Sequence, residues 1–338
     1  MEKKFIVDFK VNEQISACFI LGKKNLKLTK YDKPYLEMTL SDKTGKIEGR
    51  LWEDAENFNA YVETGDVVHV RGMVDKFKEE KQLKVDVIAK ADDRAFKYED
   101  MVRVVENGEK IYSEITKMLK SLKNPWMAAL INQYLEDKAL MDAFQKGVGG
   151  KSWHNAYIGG LMEHTYEVMF ISSQVCVLYP DADIDVVLFG AFIHDLGKVE
   201  ELDEKKLEYT IDGGLLGHIA IGYKMLMRKI DNIPDFPKEL SLRLEHGILS
   251  HHGKYEQQSP VLPKTLEATI IYQTDDLVSQ ANAIKELTTL QADEGKLWSN
   301  YVPMKSRKYF IKNSSEEKWK QLLPGKTKDN GNAEDLFG

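Results

Sequence analysis

The sequence predicts a multidomain α+β protein, with a five-stranded β-barrel over residues 1–90 followed by an all-α bundle. Three observations carry this expectation. Period-two alternation of apolar residues recurs between Gly, Asp, Asn and Pro punctuation through the first ninety residues. Helical spacing takes over from residue 109 onward. The chain has 338 residues, 43% of them hydrophobic, enough for about two domains with real cores.

Residues 14–21 are rich in β-forming side chains, and after Lys23-Lys24-Asn25 the strand resumes through Leu26 and Leu28, as a long bent strand would. In residues 34–40, Leu36, Met38 and Leu40 share one face and Tyr35, Glu37 and Thr39 the other. Asp42-Lys43-Thr44-Gly45 then turns the chain into a third strand over 46–52. Helical spacing over 54–62 puts Phe58, Tyr61 and Val62 on one side, with Asp54 as candidate N-cap. Strands over 67–74 and 83–89 complete the set. Three strands, a short helix and two strands is the order of an OB-fold, a Greek-key barrel that commonly binds single-stranded nucleic acid by aromatic stacking and basic side chains. Tyr35, Trp52 and Phe77 are the aromatic candidates, with Lys23, Lys24, Lys30 and Arg50 as cations. Plugging the barrel or packing on the next domain is the structural alternative for each ring, and a solvated strand edge is the alternative for the lysines.

Residues 91–150 form a helical bridge. Ile111, Ile115, Met118, Leu119 and Leu122 mark one amphipathic helix. Pro125 starts a second helix, apolar nearly all round from 126 to 144, which suits burial or a contact between copies of the chain; Gly147-Val148-Gly149-Gly150 stops it. From 151 to 312 the pattern stays helical, broken at Pro180, Gly213-Gly214, Pro234, Pro237, Gly253 and Pro260. Residues 313–338 are polar and read as a partly disordered tail.

Charge and composition exclude several classes. With 47 Lys and Arg against 54 Asp and Glu, a net −7, binding of nucleic acid by bulk charge is ruled out. The balance is uneven: residues 1–90 hold 17 basic and 16 acidic side chains, so the acidity lies downstream. No apolar signal segment or run of about 18 uncharged apolar residues occurs, so no membrane span is expected and the expected location is cytoplasmic. Two cysteines, Cys18 and Cys176, are too few for a disulfide framework or a thiolate zinc site.

Histidine carries the functional signal. Seven of eight histidines (His154, His164, His194, His218, His246, His251 and His252) fall within residues 154–252, against roughly two expected from random scatter. Imidazole with carboxylate suits borderline and intermediate divalent ions, which makes a hydrolytic metal centre the leading explanation. The anchor is Phe192-Ile193-His194-Asp195-Leu196-Gly197-Lys198. An HD dipeptide alone says little, since about 0.6 would arise by chance in such a chain. Here, however, the apolar run 186–193 delivers the pair into an interior, where polar groups are costly unless paired or metal-bound.

The order His164, His194-Asp195, His218, His251-His252, Asp275 resembles the HD superfamily of metal-dependent phosphohydrolases, an all-α bundle, over about residues 150–312. With the preceding barrel, and with the stretches from Trp153 to Thr165 and from Leu249 to Tyr255, the whole chain resembles the YhaM-type 3′-5′ exoribonucleases of Gram-positive bacteria. That resemblance implies stepwise removal of nucleoside 5′-monophosphates from single-stranded RNA, with single-stranded DNA as a second candidate. It implies two divalent ions, Mn or Co ahead of Fe or Zn. His164, His194, Asp195 and Asp275 match the ligands of a first ion, with Asp195 bridging to a second held by His218 and His251. Helix phase and the family pattern favour Asp275 over Asp276. Lys198 would neutralise phosphate charge. His252 and His154 are read as phosphate contacts, proton donors to the leaving 3′-oxygen, or partners that orient a ligand. His246 is read as structural or exposed. Two other readings remain open from sequence: a nucleotide or cyclic-dinucleotide phosphohydrolase, because fold does not dictate substrate, and a nucleic-acid-binding factor with a vestigial metal site.

Overall fold

The computed structural model describes residues 4–77, 80–92, 94–97, 100–150, 157–203, 208–291, 298–299, 301–302 and 306–311. Residues β1 (Gln14–Leu28), β2 (Pro34–Asp42), β3 (Gly45–Leu51), β4 (Val67–Phe77) and β5 (Glu80–Lys90) close a barrel in the order β1-β2-β3-β5-β4. All neighbours are antiparallel except β3 and β5, the parallel pair that closes it. The bend expected in the first strand is a bulge between Leu21 and Lys24. Alternation fills the interior with Phe19, Leu21, Leu36, Met38, Leu40, Val68, Val70 and Leu83, all buried. Between β3 and β4 lies α1 (Ala55–Tyr61), whose Phe58 plugs the barrel. Asp54 precedes it in a left-handed conformation (φ 56°) and makes no side-chain bond to the helix backbone, so it is not the N-cap its position suggests. Its carboxylate instead accepts from the Asn57 side chain.

Three helices follow: α2 (Gly108–Lys120), α3 (Pro125–Glu136) and α4 (Lys138–Lys146). The single helix expected over 126–144 is therefore two. Asp137 leaves helical geometry (φ −76°, ψ 80°) and its carboxylate accepts from Leu140 N at 3.2 Å, capping α4 while Asn124 caps α3. Their apolar residues, among them Met127, Leu130, Tyr134 and Phe144, are taken up by the helical core of this same chain.

The remaining elements are α5 (Gly160–Leu178), α6 (Ile184–Ile193), α7 (Lys198–Glu201), α8 (Ile211–Ile230), α9 (Lys238–Ser250) and α10 (Leu266–Gln291). Helix α6 is apolar all round and nine of its ten residues are buried, so it forms the middle of the bundle. Asp183 caps its start, and the buried Asp185 carboxylate accepts from Lys123 N (2.9 Å) and Asn124 N (2.6 Å), tying α6 to the loop before α3. The helical run is interrupted by a hairpin of β6 (Leu202–Asp203) and β7 (Glu208–Tyr209). Beyond α10, helix was expected up to 312, but Trp298 pairs with Phe310 and Val302 with Arg307 in antiparallel bridges. Aromatic and β-branched side chains there favour extended backbone. The tail over 313–338 lies outside the described residues. Among the described residues, no helix is long and apolar enough to cross a membrane. Cys18 and Cys176 are buried free thiols.

Candidate metal centre

Side chains from five helices converge on Asp195. His164 comes from the second turn of α5, His194 and Asp195 from the C-terminal end of α6, His218 from α8, His251 and His252 from the end of α9, and Asp275 from α10. Two glycines allow this convergence. A Cβ on Gly197 would lie 2.1 Å from the His218 carbonyl oxygen, so only glycine lets the chain after Asp195 pass against α8. Gly217 breaks α8 at φ 72°, ψ 158°, a backbone region open essentially to glycine alone, and the break aims His218 inward.

The two carboxylate oxygens of Asp195 face different groups. Near Oδ2 lie His164 Nε2 (3.6 Å), His194 Nε2 (3.3 Å) and the Lys198 ammonium (2.7 Å), with Asp275 Oδ1 3.1 Å from His164 Nε2. Near Oδ1 lie His218 Nε2 (3.4 Å) and His251 Nε2 (3.6 Å), and His252 Nε2 is 3.3 Å from His218 Nε2. Lys198 also donates to the Gly149 carbonyl at 2.8 Å.

Hydrogen bonds on the far side of the rings select the tautomers. Nδ1 of His194 meets the Ala191 carbonyl, that of His251 the Ile248 carbonyl and that of His252 the Gln257 carbonyl, each at 2.7 Å. Nδ1 of His218 meets the Glu201 carboxylate at 3.1 Å. Each therefore carries its proton on Nδ1 and turns a bare Nε2 lone pair toward the centre. For His218 and His252 that sets two lone pairs face to face at 3.3 Å, an arrangement a cation between them relieves.

At His251 and His252 the electrostatics agree with that tautomer pattern, whereas at His194 the neighbouring carboxylates favour the protonated ring. Burial disfavours charge on Asp195, but Lys198 and His194 outweigh it and hold the carboxyl well below the usual carboxylate range. Burial likewise opposes charge on Asp275, and His164 and His194 overcome it and keep its value low. Burial lowers His251 and His252, keeping them neutral and able to donate a lone pair. On His194 burial is outweighed by Asp195 and Asp275, which raise it. Among the described residues, Asp195 Oδ1 and His251 Nε2 are two of the few buried side-chain atoms without a hydrogen-bond partner. Orphaned oxygen and nitrogen atoms inside a shell of imidazole and carboxylate are the donor set of a divalent ion. Two groups, His164–His194–Asp195 and His218–His251–His252, each gather their donor atoms within 4.8 Å and could each hold one.

On the barrel, the outward faces of β2 and β3 bring several predicted residues together. Tyr35 and Trp52 stack with ring centroids 4.7 Å apart, and Trp52 is 45% exposed. Arg50 lies over the Phe77 ring at 4.9 Å and pairs with Glu37 at 3.3 Å. Lys23 and Lys30 are exposed on the β1 side, Lys30 over the Tyr31 ring. Lys24 is differently used: its ammonium donates to the carbonyls of Asn59 and Val62 at 2.6 Å each, closing the C-terminal end of α1.

Of the predicted site residues, then, His164, His194, Asp195, Lys198, His218, His251 and Asp275 come together, and His154 lies outside the described residues. Asp276 is engaged with Gln280 at 2.6 Å. His252, read as a phosphate contact, a proton donor or a partner that orients a ligand, also brings a ring nitrogen within 4.8 Å of the donor atoms of His218 and His251. His246 accepts from Lys264 N at 2.9 Å, and burial lowers its value. Glu201 was not anticipated. Nothing in its local pattern, an acidic residue in a short charged helix, distinguishes it from a solvated charge.

Residues 161–279 match the HD domain family, and residues 21–91 match the family of the OB-fold nucleic acid binding domain. The chain is 32% identical over 291 residues to the 3′-5′ exoribonuclease YhaM of Listeria monocytogenes serotype 4b, spanning 85% of this chain and 91% of that protein. To the 3′-5′ exoribonuclease YhaM of Halalkalibacterium halodurans it is 28% identical over 321 residues, 92% and 97% of the two chains. Among solved structures, the second OB-fold domain of replication protein A from Methanococcus maripaludis aligns with 26% of this chain and 94% of its own, at 24% identity and a TM-score of 0.21. With such identity maintained across nearly the whole length of its Listeria relative, this chain belongs to the family of the 3′-5′ exoribonuclease YhaM.

Proposed function

We propose that this chain is a metal-dependent 3′-5′ exoribonuclease that shortens single-stranded RNA in the cytoplasm, the barrel over residues 1–90 holding the strand and the helical domain over 151–312 cutting it. The observation that carries the reading is Asp195, one buried carboxylate whose two oxygens face two separate groups of bare imidazole nitrogens. His164, His194, Asp195 and Asp275 would hold one divalent ion; Asp195, His218, His251 and His252 would hold a second. Mn is the favoured ion, followed by Co. Such ions supply Lewis acidity toward the scissile phosphate and lower the pKa of water toward neutrality.

The chain's own groups do the rest. Lys198 sits beside Asp195 with an ammonium that can turn toward a phosphate oxygen and stabilise its developing charge. Water adds to the 3′-terminal phosphodiester phosphorus, the bond to the preceding 3′-oxygen breaks, that oxygen takes up a proton, and a nucleoside 5′-monophosphate leaves. Upstream bases stack on Tyr35 and Trp52, and Arg50, Lys23 and Lys30 meet the backbone. RNA digested with Mn and resolved by chromatography should yield nucleoside 5′-monophosphates. Nucleoside 3′-monophosphates, or hydrolysis confined to free nucleotides, would overturn the proposal.

A further inference from the structure

We infer that Glu201 is a positioning residue that sets the cation affinity of the His218–His251–His252 group separately from that of the His164–His194–Asp195 group. The inference rests on the two-centre reading above. Glu201 Oε1 accepts two hydrogen bonds from His218, one from the backbone N at 2.9 Å and one from Nδ1 at 3.1 Å. The first is available because Gly217 breaks α8 immediately before His218 and frees that amide from its helical partner. The carboxylate thus caps the second half of α8 and orients the ring with the same oxygen.

Glu201 is itself braced. Only 7% of it is exposed. Its N donates to Gly197 O at 3.1 Å, its carbonyl accepts from Thr210 N at 3.0 Å, and a Cβ on Gly213 would fall 2.1 Å from that carbonyl oxygen. The hairpin and the start of α8 therefore hold the residue's backbone in place, and from there its carboxylate meets His218.

The chemical contrast with the other rings gives the selectivity. Among the described residues, His194, His251 and His252 give Nδ1 to neutral carbonyls, which orient a ring, whereas His218 gives it to a carboxylate. A carboxylate partner also makes the opposite nitrogen a stronger donor, and loss of such partners typically weakens metal binding by about 10–100-fold. Because, among the described residues, the carboxylate bonds to His218 and to no other ring, the weakening should appear on one cation and spare the other.

The test is Mn titration of chelator-stripped full-length protein by calorimetry, comparing wild type, Glu201→Gln, Glu201→Ala and His218→Ala. Glu201→Gln keeps an acceptor oxygen for both bonds and removes the charge, so it retains the break in α8; the thermal midpoint of the metal-free protein checks this. The expected result is two equivalents in wild type, with one weakened about tenfold in Glu201→Gln, further in Glu201→Ala, and lost in His218→Ala, while the other keeps its affinity. Unchanged affinities in both Glu201 variants, or a parallel loss of both equivalents, would overturn the inference and leave the two-centre reading standing. A single equivalent in wild type would overturn that reading and the inference together.

Discussion

Replacing Asp195 by Asn in the metal-free protein leaves the Lys198 ammonium without the carboxylate that now lies 2.7 Å away. Both side chains are deeply set, 4% and 13% exposed for Asp195 and Lys198. Removing one partner of a pair buried to this degree costs about 3–5 kcal/mol. The Gly149 carbonyl still accepts from the ammonium at 2.8 Å, so we expect the lower end, about 3 kcal/mol, or roughly 6–12 °C in the midpoint of a domain this size. Lys198→Met alone should cost a similar amount, because it strands the carboxylate. The double variant Asp195→Asn/Lys198→Met should lose at least about 2 kcal/mol less than the sum, since neither charge is then left alone. Urea unfolding of chelator-treated protein, followed by helical circular dichroism, reads all four corners. Additive losses, or an Asp195→Asn variant as stable as wild type, would refute the view that this pair is a buried, mutually dependent unit. The same variant should bind RNA through its barrel and hydrolyse none.

Other expectations follow from the same geometry. Trp52→Ala should weaken single-stranded RNA binding by about 1–3 kcal/mol, read by fluorescence anisotropy, while cleavage of a dinucleotide stays near wild type; equal loss on both substrates would remove the barrel face from strand binding. Gly217→Ala should cost about 1–3 kcal/mol although the nearest atom outside its own stretch of helix, Glu201 Oε1, lies 3.9 Å from the added carbon, because the strain is in the backbone; an unchanged midpoint would contradict this. The carboxyls of Asp195 and Asp275 are held below their unfolded value of about 4, so their stabilisation is complete above that pH and is lost as pH falls through the folded values. Thermal midpoints of the metal-free protein should therefore drop steeply below about pH 4, and less steeply in Asp195→Asn; parallel curves would argue against it.

The barrel was legible because alternation and turn residues act locally: Leu36, Met38 and Leu40 point inward wherever the strand pairs. The order of the histidines was legible because α6 is apolar from Val186 to Ile193, so His194 and Asp195 had to enter an interior. What escaped depends on tertiary contact. Periodicity cannot see a one-residue interruption, and Asp137 divides two helices whose apolar faces run on almost in phase. Lys24 resembles any surface lysine until α1 presents its carbonyls. Glu201 acquires meaning only once Gly217 breaks α8 and turns His218 toward it. His252 joins His218 because the end of α9 meets the break in α8, a juxtaposition no spacing encodes.

Metal-dependent trimming from the 3′ end is tested with a 5′-labelled single-stranded RNA oligomer, incubated with chelator-stripped protein with and without Mn and resolved by length over time. A ladder that shortens from the 3′ end should form only when Mn is present and should be absent with Asp195→Ala. An oligomer retained by the protein yet never shortened, or one shortened equally without metal, would contradict it.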